Sequence, residues 1–165
     1  MTTIRPARPE DLPALLEIYN DSVVRDTASW DLLPWSPVQH AEWYATKVEH
    51  GWPVLVAEVD GEVAGYATYG QFRPKAGFTL SMEHSVYLRP AFQGRGLGRA
   101  LMTAIIAAAR ENGVHVLIGG LSADNDASFA LHRSLGFVEV GRLPEVGRKF
   151  DRWLDLKFLQ LLLPA

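Results

Sequence analysis

The chain contains no cysteine. That excludes disulfides, thiolate nucleophiles and cysteine-ligated metal sites together. An excess of positive charge is also missing. Sixteen Lys and Arg stand against nineteen Asp and Glu, a net charge of −3, and no basic run is interleaved with aromatics. We therefore expect no nucleic-acid partner. The longest apolar runs, such as "LMTAIIAAA", fall far short of the roughly 20 residues that span a bilayer, so no membrane partner is expected. The opening "MTTIRPARPEDLP" lacks the basic-then-apolar pattern of a signal peptide, and a cytoplasmic protein is expected. No internal repeat or low-complexity segment is visible.

What is present is an ordinary globular composition: 165 residues, 48% apolar and 21% charged. This length suits one domain over 1–165 with a substantial core. Leu12, Leu15, Leu16, Tyr19 and Val23 recur at helical spacing and predict a helix over 10–24. In "WSPVQHAEWYATKVEHG", Ser36 is a candidate N-cap and Pro37 the first helical residue. Gln39 completes a capping box, and Gly51 stops the helix. "PVLVAEVDGEVAGYATYG" reads as two strands joined by Asp60-Gly61, a strong hairpin signal. "RPKAGF" is a turn-rich connection and "TLSMEHSVYL" a third central strand.

Further along, Leu97, Ala100, Leu101, Ala104, Ile105 and Ala108 mark one face of a helix that Gly113 ends. "VHVLIGGL" is an apolar strand of the kind buried on both faces. A short helix over 125–135 closes at Gly136, and "FVEVGRL" and "RWLDLKFLQLLL" are the last strands. The order βααβββαβαββ implies an α/β (α+β) fold with a mixed sheet and helices on both faces.

The densest signal is "RPAFQGRGLGRALM", residues 89–102, with Gly94, Gly96 and Gly98 in five positions. A dinucleotide fingerprint does not fit. The spacing is G-x-G-x-G, "RPAFQ" separates the glycines from the strand, and the stretch about 20 residues on carries no ribose-binding acid. A Walker A loop would need Gly-Lys-Ser/Thr. A bare turn needs fewer glycines, since each costs backbone entropy. The reading that remains is a loop whose N–H groups face a phosphate, backed by the positive end of the following helix. Arg95 and Arg99 are candidates to add charge there, with solvated arginines as the alternative.

"Q-G-R-G-L-G" at 93–98, after the strand "HSVYL" and before a helix, resembles the Q/R-x-x-G-x-G/A pyrophosphate loop of the GNAT acetyltransferases, and the order of elements matches over nearly the whole chain. The strings "EIYNDSV", "WPVLVAE", "GYATYG", "EHSVYL", "ALHRSLGF" and "VGRKFDRWLDLKFLQ" resemble, within that superfamily, the branch that acetylates phosphinothricin, methionine sulfoximine and methionine sulfone. The resemblance implies a GNAT fold, with a mostly antiparallel sheet splayed at the cofactor site. It also implies acetyl-CoA as co-substrate, no metal, and a homodimer whose contact lies near Arg148 and Lys149. Val86, Tyr87 and Leu88 would pair with the pantetheine arm, and Gly94, Arg95, Gly96, Leu97, Gly98 and Arg99 would wrap the pyrophosphate.

Acetyl transfer to an amine needs a neutral nitrogen, whereas an α-amino group near pH 7 is mostly protonated. A positioned base is therefore expected. Glu83 is the candidate, because a mid-strand carboxylate needs a partner or a wet cleft and the resemblance places a catalytic glutamate there. His84 faces the other side in a regular strand. The branch pattern nonetheless makes Glu83, His84 and Ser85 substrate-proximal. His132, in "LHRSLGF", stands where many family members carry tyrosine in "YxKxGF". It is a candidate proton donor to the departing CoA sulfur, with a packing histidine as the alternative. Asn125, Ser128 and His132 share one helix face. The resemblance gives Asn125 to the CoA arm, and Ser128 joins it as cofactor-binding; helix capping is a second role for Asn125.

Arg73 suits a carboxylate or oxo group, and by resemblance Arg73, Pro74 and Lys75 line the acceptor site. Asn20 and Trp30 are further candidate acceptor contacts. The expected reaction is direct acetylation of the α-amino group of a small amino acid analogue. Two alternatives stay open: a protein or peptide N-acetyltransferase, which would want an open groove, and an acyl-CoA-binding regulatory module without turnover.

Overall fold

The structure is a computed structural model and describes residues 1–164. Its strands are β1 (Thr2–Pro6), β2 (Val54–Val59), β3 (Glu62–Gln71), β4 (Ser81–Leu88), β5 (Val116–Ser122), β6 (Val138–Lys149) and β7 (Arg152–Leu162). The helices are α1 (Leu12–Arg25), α2 (Pro37–His50), α3 (Leu97–Glu111) and α4 (Asp126–Ser134). The strands form one mixed sheet in the order β1-β2-β3-β4-β5-β7-β6. β1–β2, β2–β3, β5–β7 and β6–β7 pair antiparallel, and β4–β5 pair parallel.

Local chemistry accounts for most boundaries. Ser36 accepts from the Gln39 N–H, the Gln39 side chain reaches back to the Ser36 N–H, and Gly51 closes α2 at φ 67°. Asp60 and Gly61 both take positive φ, 50° and 87°, the geometry of a tight hairpin between β2 and β3. α1 is preceded by a single 3₁₀ turn over Pro9–Asp11, so α-helical geometry begins at Leu12. β6 runs well past the expected "FVEVGRL" and includes "VGRK". Register shifts at Glu139/Gly141 and Leu143/Gly147 absorb the extra residues, and the hairpin to β7 turns on Phe150 and Asp151, both at positive φ.

The chain forms two compact units. One comprises Met1–Gly70 with Ser85–Ala108; the other comprises Gln71–His84 and the chain from Ala109 on. In the first, Leu15, Ile18, Val54, Val56 and Tyr66 make a buried cluster flanked by Trp43, Tyr44 and Tyr87. Burying each large aliphatic side chain stabilises the fold by about 1.5–3 kcal/mol. In the second, Leu117, Phe137, Leu154 and Leu159 are the buried anchors. Gly119 and Gly120 fall inside β5, where sequence alone reads only a buried apolar strand.

Candidate active site

In the first unit, a single 3₁₀ turn over Pro90–Phe92 leads from β4 into the glycine loop. Gly94 and Gly96 have φ of 74° and 80°, a region costly for any residue with a Cβ. Nothing lies within 4 Å of where a Cβ would sit on either, so the backbone conformation alone demands glycine there. Left-handed residues in such turns aim successive N–H groups into one concavity suited to an anion. Leu97 then opens α3, where the Ala100 N–H donates to the Gly96 carbonyl at 3.1 Å. Gly98 lies within that first turn. The Arg95 guanidinium lies 5.2 Å above the Phe92 ring. Both Arg95 and Arg99 are exposed. The loop thus combines two left-handed glycines with two exposed arginines at the start of a helix, features that suit an anion.

Val86, Tyr87 and Leu88 are half-buried on β4. Their position depends on Gly65 of β3, where a Cβ would lie 2.4 Å from Leu88 Cδ2 and 2.5 Å from the Tyr87 carbonyl oxygen. The end of the strand is pinned by Arg89, which donates to the Val63 carbonyl at 2.9 Å and to Glu17 at 2.8 Å. The ladder from β4 to β5 covers only Ser81, Met82 and Glu83.

In the second unit, Glu83 sits at the last of those paired positions and is accessible to solvent. Surrounding protein still raises its pKa above the ordinary glutamate range, and the nearby Arg73 charge opposes that rise. Arg73, Pro74 and Lys75 are exposed in the loop before β4. Gln71, which sequence reasoning passed over, shapes this loop by donating from Nε2 to the Arg73 carbonyl at 2.6 Å and to the Lys75 carbonyl at 3.0 Å. A polar residue at a strand end before a turn-rich segment is the only sequence signal for it. The Arg73 guanidinium lies 4.9 Å over the Phe72 ring, which meets Phe158 edge-on at 5.8 Å. Glu83 thus lies within electrostatic reach of Arg73, which packs over Phe72 and, through it, Phe158.

His84 points to the opposite face of β4 and is buried. Its Nε2 lies 2.8 Å from Nε2 of His132, also buried, and Phe137 packs on both rings. His132 Nδ1 lies 2.7 Å from the Ser128 carbonyl, which can only accept. Nδ1 of His132 therefore carries hydrogen, and in the neutral pair His84 Nε2–H donates to His132 Nε2. Both nitrogens of His132 are engaged within the protein. Burial, reinforced by His132, pushes the His84 pKa down to about 3, and burial also lowers that of His132. Gly119 makes room for the pair, since a Cβ there would lie 3.0 Å from His132 Nε2 and 3.1 Å from His84 Cε1.

Asn125 caps α4, its Oδ1 accepting from the Ser128 N–H at 3.1 Å. Ser85 is half-buried. Asn20 holds the α1–α2 connection: it accepts from the Trp35 N–H and donates to the Trp35 carbonyl, at 2.8 and 2.9 Å. It also lines a cavity of about 670 Å³ with Leu12, Leu16, Val24, Pro37 and His40, to which the glycine loop contributes nothing. Trp30 is half-buried. Arg148 lies over Trp153 at 5.7 Å and Lys149 over Phe150 at 5.0 Å. Among the described residues no cluster of three or more His, Cys, Asp or Glu could hold a metal ion, and no helix is long and apolar enough to cross a membrane.

The fold is a seven-stranded mixed sheet with a glycine loop at the start of a helix. Residues 12–137 match the Acetyltransferase (GNAT) family, and the chain belongs to that family. It is 48% identical to the L-methionine sulfoximine/L-methionine sulfone acetyltransferase of Pseudomonas aeruginosa over 96% of this chain and 93% of that one. A phosphinothricin acetyltransferase from Sinorhizobium meliloti, solved in complex with acetyl-CoA, superposes with a TM-score of 0.96 at 34% identity, covering 98% of this chain and 88% of that one. A structure from Brucella melitensis, named a ribosomal-protein-alanine N-acetyltransferase, superposes equally well (TM-score 0.96) at 51% identity, covering 98% and 99%.

Proposed function

We propose that the whole chain works as a single N-acetyltransferase domain. It moves acetyl from acetyl-CoA directly to the α-amino group of a small amino acid analogue of the methionine sulfone, methionine sulfoximine or phosphinothricin type. The observation that carries this reading is an accessible carboxylate of raised pKa, Glu83, held beside Arg73 on the strand that runs on into Val86, Tyr87 and Leu88. Relatives named for these acceptors support it, as does the relative solved with acetyl-CoA.

Acetyl-CoA supplies an activated acetyl thioester. Gly94 through Arg99 hold its pyrophosphate, Val86–Leu88 run beside its pantetheine arm, and Asn125 and Ser128 contribute from the start of α4. Arg73, with Pro74 and Lys75 beside it, takes the acceptor carboxylate. Glu83 removes a proton from the acceptor ammonium, directly or through one water. The freed nitrogen bonds to the acetyl carbon, the carbon–sulfur bond breaks with its electron pair leaving on sulfur, and the second proton shed by that nitrogen passes through solvent to the thiolate, giving the amide and free CoA thiol. With both nitrogens engaged, His132 is assigned to hold His84 and α4 in place rather than to protonate the leaving sulfur.

We assign the protein to the cytoplasm and to a homodimer. Exposed Val138, Val140, Leu143 and Val146 on the edge strand β6, with Phe150 and Trp153 beside them, support a second copy as partner. Sedimentation equilibrium at micromolar concentration reads this directly, and a strictly monomeric mass would remove it.

The test of the reaction is release of free thiol from acetyl-CoA in the presence of methionine sulfone. The absence of cysteine keeps the protein itself silent to a thiol reagent. Saturable release that depends on the acceptor is expected. Acetyl-CoA binding without release for methionine sulfone, methionine sulfoximine or phosphinothricin would overturn the assignment. The name of the Brucella relative favours a second reading, acetylation of a protein N-terminus. A peptide panel beginning with alanine separates the two.

A further inference from the structure

Gly120 lies in β5, where an interior glycine costs about 0.5–1 kcal/mol relative to alanine unless something requires it. Two requirements account for most such glycines, and neither applies. Its φ is not positive, unlike those of Gly94 or Gly96. Nor is it crowded: a Cβ would lie 3.6 Å from Leu156 Cδ1, 3.8 Å from Glu83 Oε1 and 3.8 Å from Phe158 Cε1, all ordinary contacts. Its neighbour Gly119 has a packing reason, the two imidazoles on the other face. Gly120 is exposed on the Glu83 face. The β5–β7 register runs through Gly120 without a bulge, and a strand glycine of this kind is suited to close approach of a ligand.

We infer that Gly120 is a specificity-determining residue for the acceptor: its missing side chain makes room for the aliphatic stem of the carbon that bears the reacting amine. The inference rests on the reading of Glu83 as the base. An amine whose proton passes to Glu83 sits within hydrogen-bond reach of that carboxylate. The first atoms beyond the amine then fall within a few ångströms of Oε1, the space a side chain at 120 would fill. The lining there is apolar, Leu156 and Phe158, which suits methylene groups rather than a second charge. Arg73, whose charge acts on the same carboxylate, is the group proposed for the acceptor's acidic end. Gly120 thus admits acceptors with an extended unbranched stem, and any larger residue shortens the stem that fits.

The experiment measures kcat/KM over amino acids of increasing side-chain length, from glycine through alanine and norvaline to methionine sulfone, for the wild type, Gly120→Ala and Gly120→Val. The same series is run on peptides differing only in their first residue. Acetyl-CoA affinity by calorimetry serves as the control for folding. The expected result is a loss of about tenfold for the long acceptors in Gly120→Ala, with a much smaller change for the short ones. A further loss is expected in Gly120→Val, at unchanged acetyl-CoA affinity. If the wild type uses peptides alone, the small-acceptor reading falls, and the length profile on peptides still decides the role of Gly120. Profiles of the same shape in all three proteins, on whichever series turns over, would overturn the inference. So would a wild type that uses no acceptor longer than alanine.

Discussion

On one face of β4 the Glu83 carboxylate reaches solvent beside the Arg73 guanidinium; on the other, one residue later, His84 is sealed against His132, Gly119 and Phe137. Burial acts on both by one rule, disfavouring the charged form, and so moves their pKa values in opposite directions. The carboxyl rises, with Arg73 holding it back, and the imidazole falls to about 3. Glu83 keeps a route to solvent and a charge partner, which is what a proton acceptor needs. His84 has neither, and its hydrogen bond serves to tie β4 to α4. The alternation of a β-strand gives two adjacent titratable residues unrelated surroundings.

The sharpest way to break this comparison is to remove the charge on each face in turn. Glu83→Gln is expected to lower kcat by roughly 10²- to 10⁴-fold. Acetyl-CoA affinity stays unchanged, and the melting temperature is no lower than that of the wild type. His84→Gln, whose amide still donates to His132, retains most of the activity. Equal losses in steady-state kcat would erase the division of labour.

The adjoining glycines extend the contrast. Gly119→Ala forces a methyl against both imidazoles and costs roughly 1–3 kcal/mol in urea denaturation. Gly120→Ala, at ordinary distances, stays within about 1 kcal/mol of the wild type. Similar costs at the two sites would show that the imidazole pair is not tightly packed.

Protonation provides a third test. An unfolded histidine takes up a proton near pH 6.5, whereas folded His84 does so only near 3. Stability is therefore fully present above the unfolded pKa and falls as pH drops, by about 1.4 kcal/mol per pH unit for this group within that window. Denaturation at pH 7 and pH 5 reads the loss, and His84→Gln removes the part due to His84. The smallest effect is expected from Arg73→Ala. Loss of its charge lets the Glu83 pKa rise, so the acid limb of the kcat profile moves to higher pH, and acceptor KM increases. A limb that stays in place would separate Arg73 from Glu83.

How much of this was legible beforehand depended on whether the determinant was local. The capping box of α2 and the Asp60-Gly61 hairpin are each settled by a few adjacent residues, and both stand in the structure as expected, whereas the left-handed turns at Gly94 and Gly96 emerge only from the backbone itself. The length of β6 was not legible, because Glu145, Phe150 and Asp151 take positive φ without the glycine that announces it. The meeting of His84 and His132 joins residues 48 apart and leaves no local mark. Helical spacing rightly put His132 on one face with Asn125 and Ser128, but it could not show that both imidazole nitrogens are bound. Gln71 gave little warning, since its role is to hold two carbonyls of a loop. The roles proposed for Glu83 and the glycine loop rest chiefly on family resemblance, because a strand carboxylate and a glycine cluster each admit several chemistries.

The most direct measurement is an NMR titration of the free protein from pH 4 to 8, following the Glu83 side-chain carboxyl and the His84 and His132 imidazoles together. A Glu83 midpoint above the ordinary glutamate value and a His84 ring that remains neutral throughout are expected. A His84 midpoint near 6.5 with Glu83 in its ordinary range would contradict that expectation.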